Sequence, residues 1–167
     1  VAPWWTFENM VNGATKFNGA LVGWDTSKVT TMDFMFHEYA TAFNSELAWD
    51  TSSVTSMWST FFNAKAFNQQ LIWDTSKVTG MVGTFNDARN FNQALDWDTS
   101  SVTAMQNTFD RAEAFNKPLN WDTSRVTTMR YTFSGVDAFN SELAWDTSSV
   151  TTMQSTFYSA DAFNQPL

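Results

Sequence analysis

Apolar residues return along this chain in a fixed set of seven positions, held in one stretch by Val78, Met81, Phe85, Ala88, Phe91, Leu95 and Trp97. The same positions next hold Val102, Met105, Phe109, Ala112, Phe115, Leu119 and Trp121. One full unit reads V-T-x-M-x-x-T-F-x-x-A-x-x-F-N-x-x-L-x-W-D-T-S-x, 24 residues long. Leu21, Leu47, Leu71, Leu95, Leu119, Leu143 and Leu167 mark it at spacings of 26 and then 24 residues. Self-similarity at this period predicts a solenoid, in which each unit buries its apolar face against its neighbours.

The two halves of the unit differ in period. Val78, Met81, Phe85 and Ala88 fall on one stripe of a helix. The preceding D-T-S supplies N-cap acceptors for that helix. Phe91, Leu95 and Trp97 lie at even offsets, on one face of an extended segment. The pattern therefore predicts an α/β repeat of about seven coils, each a short strand, a corner and a short helix. Successive strands would form a parallel sheet at about 4.8 Å spacing. The expected organisation is a single solenoid domain over 1–167, with a degenerate half-repeat or cap over 1–16 and regular repeats over 17–167. With Leu167 standing two residues short of the next Trp position, the sequence reads as a piece of a longer array.

The unit resembles the repeat of BspA-like surface proteins, of the type found in mycoplasma lipoproteins. The resemblance is carried by F-N at 43, 67, 91, 115, 139 and 163 and by W-D-T-S at 24, 49, 73, 97, 121 and 145. That family is grouped with the leucine-rich repeats, so the resemblance implies a right-handed solenoid with the L-x-W strands in one sheet. It also implies adhesion or protein–protein interaction, a secreted or surface setting with an organelle as the alternative, and no catalytic motif.

Composition narrows the chemistry. Leu, Ile, Val and Phe make up about a fifth of the chain, but 16 Phe and 9 Trp lift the aromatic share to 17%, which is unlike a disordered segment. The absence of cysteine removes disulfides, thiolate metal sites and thiol nucleophiles. A formal net charge of −8 argues against a nucleic-acid partner. No run of 18 apolar residues suggests a transmembrane segment.

Four polar or aromatic columns are candidates for chemistry. Asp25, Asp50, Asp74, Asp98, Asp122 and Asp146 form a carboxylate column. Calcium needs six to eight oxygens, and one Asp per coil followed by Thr and Ser reads better as corner capping. Asn18, Asn44, Asn68, Asn92, Asn116, Asn140 and Asn164 read as a structural amide ladder. The threonine columns that begin at Thr26 and Thr30 lie four residues apart, unlike the closely paired outward threonines of an ice-binding face. The Trp column reads as buried stacking rather than a sugar platform. Trp5, Trp58, Phe62, Tyr131 and Tyr158 stand outside the repeat positions and are candidates for a contact surface.

Catalysis finds no support. His37 is the one histidine, pairs such as Asp33/Glu38 and Asp96/Asp98 look like ordinary surface charge, and no phosphate-binding loop occurs. No catalytic residue, metal site or cofactor is expected. With Leu and Trp inward, the residues before and between them face outward: Glu46/Ala48, Gln70/Ile72, Ala94/Asp96, Pro118/Asn120 and Glu142/Ala144. This strip varies on a constant framework, which makes Glu46, Gln70, Ile72, Asp96, Asn120 and Glu142 the candidate binding residues for a protein or surface-glycan partner. A second varying strip alternates cation and serine at Lys28, Ser53, Lys77, Ser101, Arg125 and Ser149. The expected function is a non-catalytic interaction or adhesion module; the alternative is a structural scaffold or accessory subunit of a larger assembly, including an algal or organelle complex.

Overall fold

The computed structural model describes residues 6–11, 13–37 and 40–166. Among them there is no helix and no strand longer than a single bridge. The expected α/β solenoid of strands and short helices is thereby corrected, and with it the leucine-rich-repeat architecture that the resemblance implied. In its place the chain forms coils of turns, joined in order by six isolated parallel bridges: Thr6–Thr31, Thr31–Ser56, Ser56–Gly80, Gly80–Ala104, Ala104–Thr128 and Thr128–Thr152.

The turns explain why a helix-like spacing makes no helix. In one coil the N–H of Val54 donates to the carbonyl of Thr51, Thr60 to Met57, Ala64 to Phe61 and Phe67 to Ala64, at 2.9–3.3 Å. Each is an i+3 to i bond that closes a four-residue turn. The Met57 and Phe61 turns hold their third residues, Ser59 and Asn63, at φ of 52° and 59°. The same positions are left-handed at Gly83 and Asp87, Asn107 and Arg111, and Gly135. A right-handed helix cannot pass through a left-handed residue every four positions. Each turn nevertheless brings the chain back to the core after three or four residues, which reproduces the apolar stripe of a helix.

The same turns build the ladder between coils. N–H groups of Met57, Ser59, Phe61 and Asn63 donate to the carbonyls of Gly80, Val82, Thr84 and Asn86 in the next coil, at 2.8–3.1 Å. Between them the N–H groups of Thr60 and Phe62 close turns on the carbonyls of Met57 and Ser59, and that of Trp58 donates to Asp33 Oδ1 one coil back. The backbone pairing thus runs through the half expected to be helical, and the expected sheet through F-N-x-x-L-x-W is absent.

The centroid distance between equivalent rings of neighbouring coils differs between the two halves. It is 5.3–5.6 Å along the column Phe36, Phe61, Phe85, Phe109, Phe133 and Phe157. It widens to 5.8–6.1 Å along the column of Phe17, Phe43 and their repeats. From Trp49 to Trp145 it reaches 6.1–6.4 Å. The distance is thus shortest where the backbone ladder runs and longest along the indoles, where no such ladder joins the described residues of neighbouring coils.

Side chains span that gap. Each indole Nε1 of Trp49, Trp73, Trp97, Trp121 and Trp145 donates to the leucine carbonyl one coil back, at 3.0–3.3 Å. Each Asn Oδ1 accepts the backbone N–H of the Asn one coil on, from Asn18–Asn44 through Asn140–Asn164, at 2.8–3.0 Å. Inside each coil the two Phe rings stack at 4.1–4.3 Å. Burying one such side chain is worth about 1.5–3 kcal/mol, so the rings, rather than Leu or Ile, carry the core.

Candidate interaction surface

The outward strip is where the alternation placed it. Leu71 and Trp73 are buried, whereas Gln70 and Ile72 are exposed, Ile72 at 84%. Glu46, Asp96, Asn120 and Glu142 are exposed likewise, each one residue before or after a Leu that packs inward. The structure brings Glu46, Gln70 and Ile72 together around a shallow groove of about 420 Å³ that Ala48 and Gln69 also line. A smaller hollow of about 70 Å³ joins Gln70 and Ile72 to Ala94 and Asp96. Asn120 and Glu142 lie further along the strip and line neither. Glu46, Asp96 and Glu142 give the strip negative charge around the one large apolar side chain, Ile72.

The Asp column closes corners. Oδ1 of Asp50, Asp74 and Asp98 accepts the N–H of the Ser two residues on at 3.0 Å. The same oxygen accepts that Ser Oγ at 2.6–2.7 Å. These bonds, the hydroxyl first and the amide second, hold all three carboxyls below the usual carboxylate range. The neighbouring carboxylates Asp25 and Asp74 push Asp50 the other way, more weakly. The turn is thus satisfied by its own Asp, with no helix to cap. No group of three His, Asp or Glu residues that could hold a metal occurs among the described residues.

Threonines tie coil to coil. Oγ1 of Thr26, Thr51, Thr75, Thr99 and Thr123, all buried, donates to the Asp carbonyl of the next coil at 2.9 Å. Thr55, Thr79, Thr103, Thr127 and Thr151 are surface residues whose hydroxyls reach back to the threonine carbonyl of the preceding coil. Sequence reasoning did not single out a third column. Thr84, Thr108 and Thr132 are fully buried, and each hydroxyl lies within hydrogen-bonding distance of two Met carbonyls, one in its own coil and one in the coil before. Its signal was the recurrent T of M-x-x-T-F, one polar residue before the Phe, replaced only by Met35 in the first such unit.

In the cation–serine strip Ser53, Ser101 and Ser149 donate to carbonyls one coil back, at 2.7–2.9 Å, while Lys28, Lys77 and Arg125 are exposed. Of the off-pattern aromatics, Trp58 is 49% and Tyr158 68% exposed, and Phe62 and Tyr131 are half-buried. Trp5 and Glu38 lie outside the described residues. His37 stacks on Phe62 at 4.6 Å and meets Phe34 edge-on at 5.1 Å, and Phe34 contacts Trp58 at 5.2 Å. Asp33 Oδ1 accepts from Ser56 Oγ and from the Trp58 N–H, which fixes it within the framework. No helix among the described residues is long and apolar enough to cross a membrane.

No curated protein and no solved structure matches the chain. A family described as Mycoplasma protein of unknown function, DUF285, matches it twice, over residues 5–95 and 95–167. Because these two matches cover nearly the whole repeat array, the chain belongs to that family.

Proposed function

We propose that this chain is a non-catalytic interaction module whose outward strip meets a protein or a surface glycan. The observation that supports this most is the division of labour along each coil. The repeated side chains are spent on rings, ladders and corners, while the varying ones at Glu46, Gln70, Ile72 and Asp96 are exposed side by side. The resemblance to surface-protein repeats favours the same reading. An acidic strip around an exposed Ile suits a partner that brings an apolar side chain within a basic rim.

The test replaces Glu46, Gln70, Asp96, Asn120 and Glu142 together with Lys and compares binding to native surface extract and to a glycan array. Loss of binding with an unchanged melting temperature supports the strip; full retention of binding contradicts it.

A further inference from the structure

Besides the outward strip, the repeat varies at the residue that follows Met. In five coils this residue is Asp33, Trp58, Val82, Gln106 and Arg130. Each of its carbonyls accepts an N–H from the coil before, from Asn9 to Asp33 through Asn107 to Arg130, at 2.8–3.3 Å. The five therefore share one register on the backbone ladder, and each of their coils has a coil on either side. Trp58 and Arg130 are exposed, and Asp33, Val82 and Gln106 are half-buried. Phe34 braces the Trp58 ring at 5.2 Å, and the Arg130 guanidinium lies over the Tyr131 ring at 5.7 Å. Asp33 Oδ1 is held by Ser56 Oγ and the Trp58 N–H. Among the described residues neither Asp33 Oδ2 nor the Arg130 guanidinium has an ion-pair partner. From Asp33 to Arg130 the column runs anion, indole, aliphatic, amide, cation, with Val82 at its centre. Turned end to end, this order complements itself: Asp33 meets Arg130, Trp58 meets Gln106, and Val82 meets Val82.

We propose that this column is the contact face of an antiparallel, twofold-symmetric dimer, with a second copy of the chain as its partner. A second copy has the same rung spacing, so the matches recur at each coil. Two Asp33–Arg130 pairs set orientation and register. Phe34 and Tyr131, one residue on, meet beside each pair, and the twofold axis passes beside Val82. The column spans about 19 Å, a face smaller than the roughly 800 Å² per partner of a stable interface. The pairing is therefore weak and reversible, and it leaves the outward strip uncovered.

The test is sedimentation equilibrium of the 167-residue chain at low salt, up to about 1 mM. The expected result is a monomer–dimer equilibrium that added salt weakens. Arg130→Glu sets two carboxylates together and Asp33→Arg two guanidinium groups, so each alone should weaken the dimer about tenfold or more. An equimolar mixture of the two variants should associate again as a heterodimer, and the chain carrying both substitutions should dimerise with itself. Val82→Lys, which brings two ammonium groups together at the axis, should weaken the dimer as well. Melting temperatures are checked throughout, because Asp33→Arg loses the bonds to Ser56 and Trp58. Arg130→Glu and Val82→Lys keep those bonds and carry the test if Asp33→Arg does not fold. A chain that stays monomeric at the top concentration would overturn the proposal. So would self-association that Arg130→Glu leaves unchanged, or two folded single variants that fail to associate when mixed.

Discussion

Truncating a core ring should cost more in the middle of the stack than at its end, because each central ring serves two coil-to-coil interfaces. Phe109 is fully buried, flanked by Phe85 at 5.5 Å and Phe133 at 5.6 Å, and stacked on Phe115 at 4.2 Å. Phe109→Ala therefore combines lost transfer free energy with a cavity that neighbouring rings cannot collapse into, about 3–5 kcal/mol. Phe157 has a coil neighbour on one side, Phe133 at 5.5 Å, and is only partly buried. On the same scale Phe157→Ala should cost roughly half as much, about 1.5–2.5 kcal/mol. For a chain of this size, Phe109→Ala should lower the melting temperature by roughly 6–20 °C. Urea unfolding followed by near-ultraviolet circular dichroism reads both variants. Equal destabilisation, or a larger effect at Phe157, would refute a core shared between stacked coils.

Thr108→Val removes the hydroxyl that serves the Met81 and Met105 carbonyls at 3.0 and 2.8 Å. With no replacement donor it should cost about 1–3 kcal/mol by chemical denaturation; a neutral effect would dismiss the third threonine column as structural. At the left-handed residue Asn107, φ 56°, Asn107→Val should be about 1–2 kcal/mol less stable than Asn107→Gly. Equal stability there would count against the turn geometry. The lowered carboxyls of Asp50, Asp74 and Asp98 contribute stability that is complete above the ordinary Asp value of about 3.9 and is lost as pH falls through their lower folded values. Urea midpoints should therefore drop on acidification below that value and drop less in Asp98→Asn; a midpoint that rises on acidification would contradict the corner bonds.

The seven core positions were legible in the sequence. Val78, Met81, Phe85, Ala88, Phe91, Leu95 and Trp97 are all buried, and Ala94 and Asp96 face outward. The backbone path was not, because apolar residues three and four apart suit consecutive four-residue turns as well as a helix. The discriminating signal lay in residues that the apolar stripe ignores. Ser59, Gly83 and Asn107 follow Met by two, and Asn63, Asp87 and Gly135 follow Phe by two, all types that turns favour. Phe34, Tyr131 and Arg111 at the same positions dilute that signal. The sheet through L-x-W failed for a different reason: Trp and Asn side chains make the coil-to-coil bonds there, and a pattern of inward and outward residues does not say whether backbone or side chain makes them. For the candidate surface, alternation alone placed Ile72 and its acidic neighbours.

Through-hydrogen-bond NMR couplings test the central claim most directly, since they identify the carbonyl that each amide serves. The account predicts that the Phe109 N–H couples to the Thr132 carbonyl of the next coil, a 2.9 Å bond, and that Thr108 N–H couples to the carbonyl of Met105. A coupling from the Phe109 N–H to the Met105 carbonyl, the bond of a helix, would contradict it.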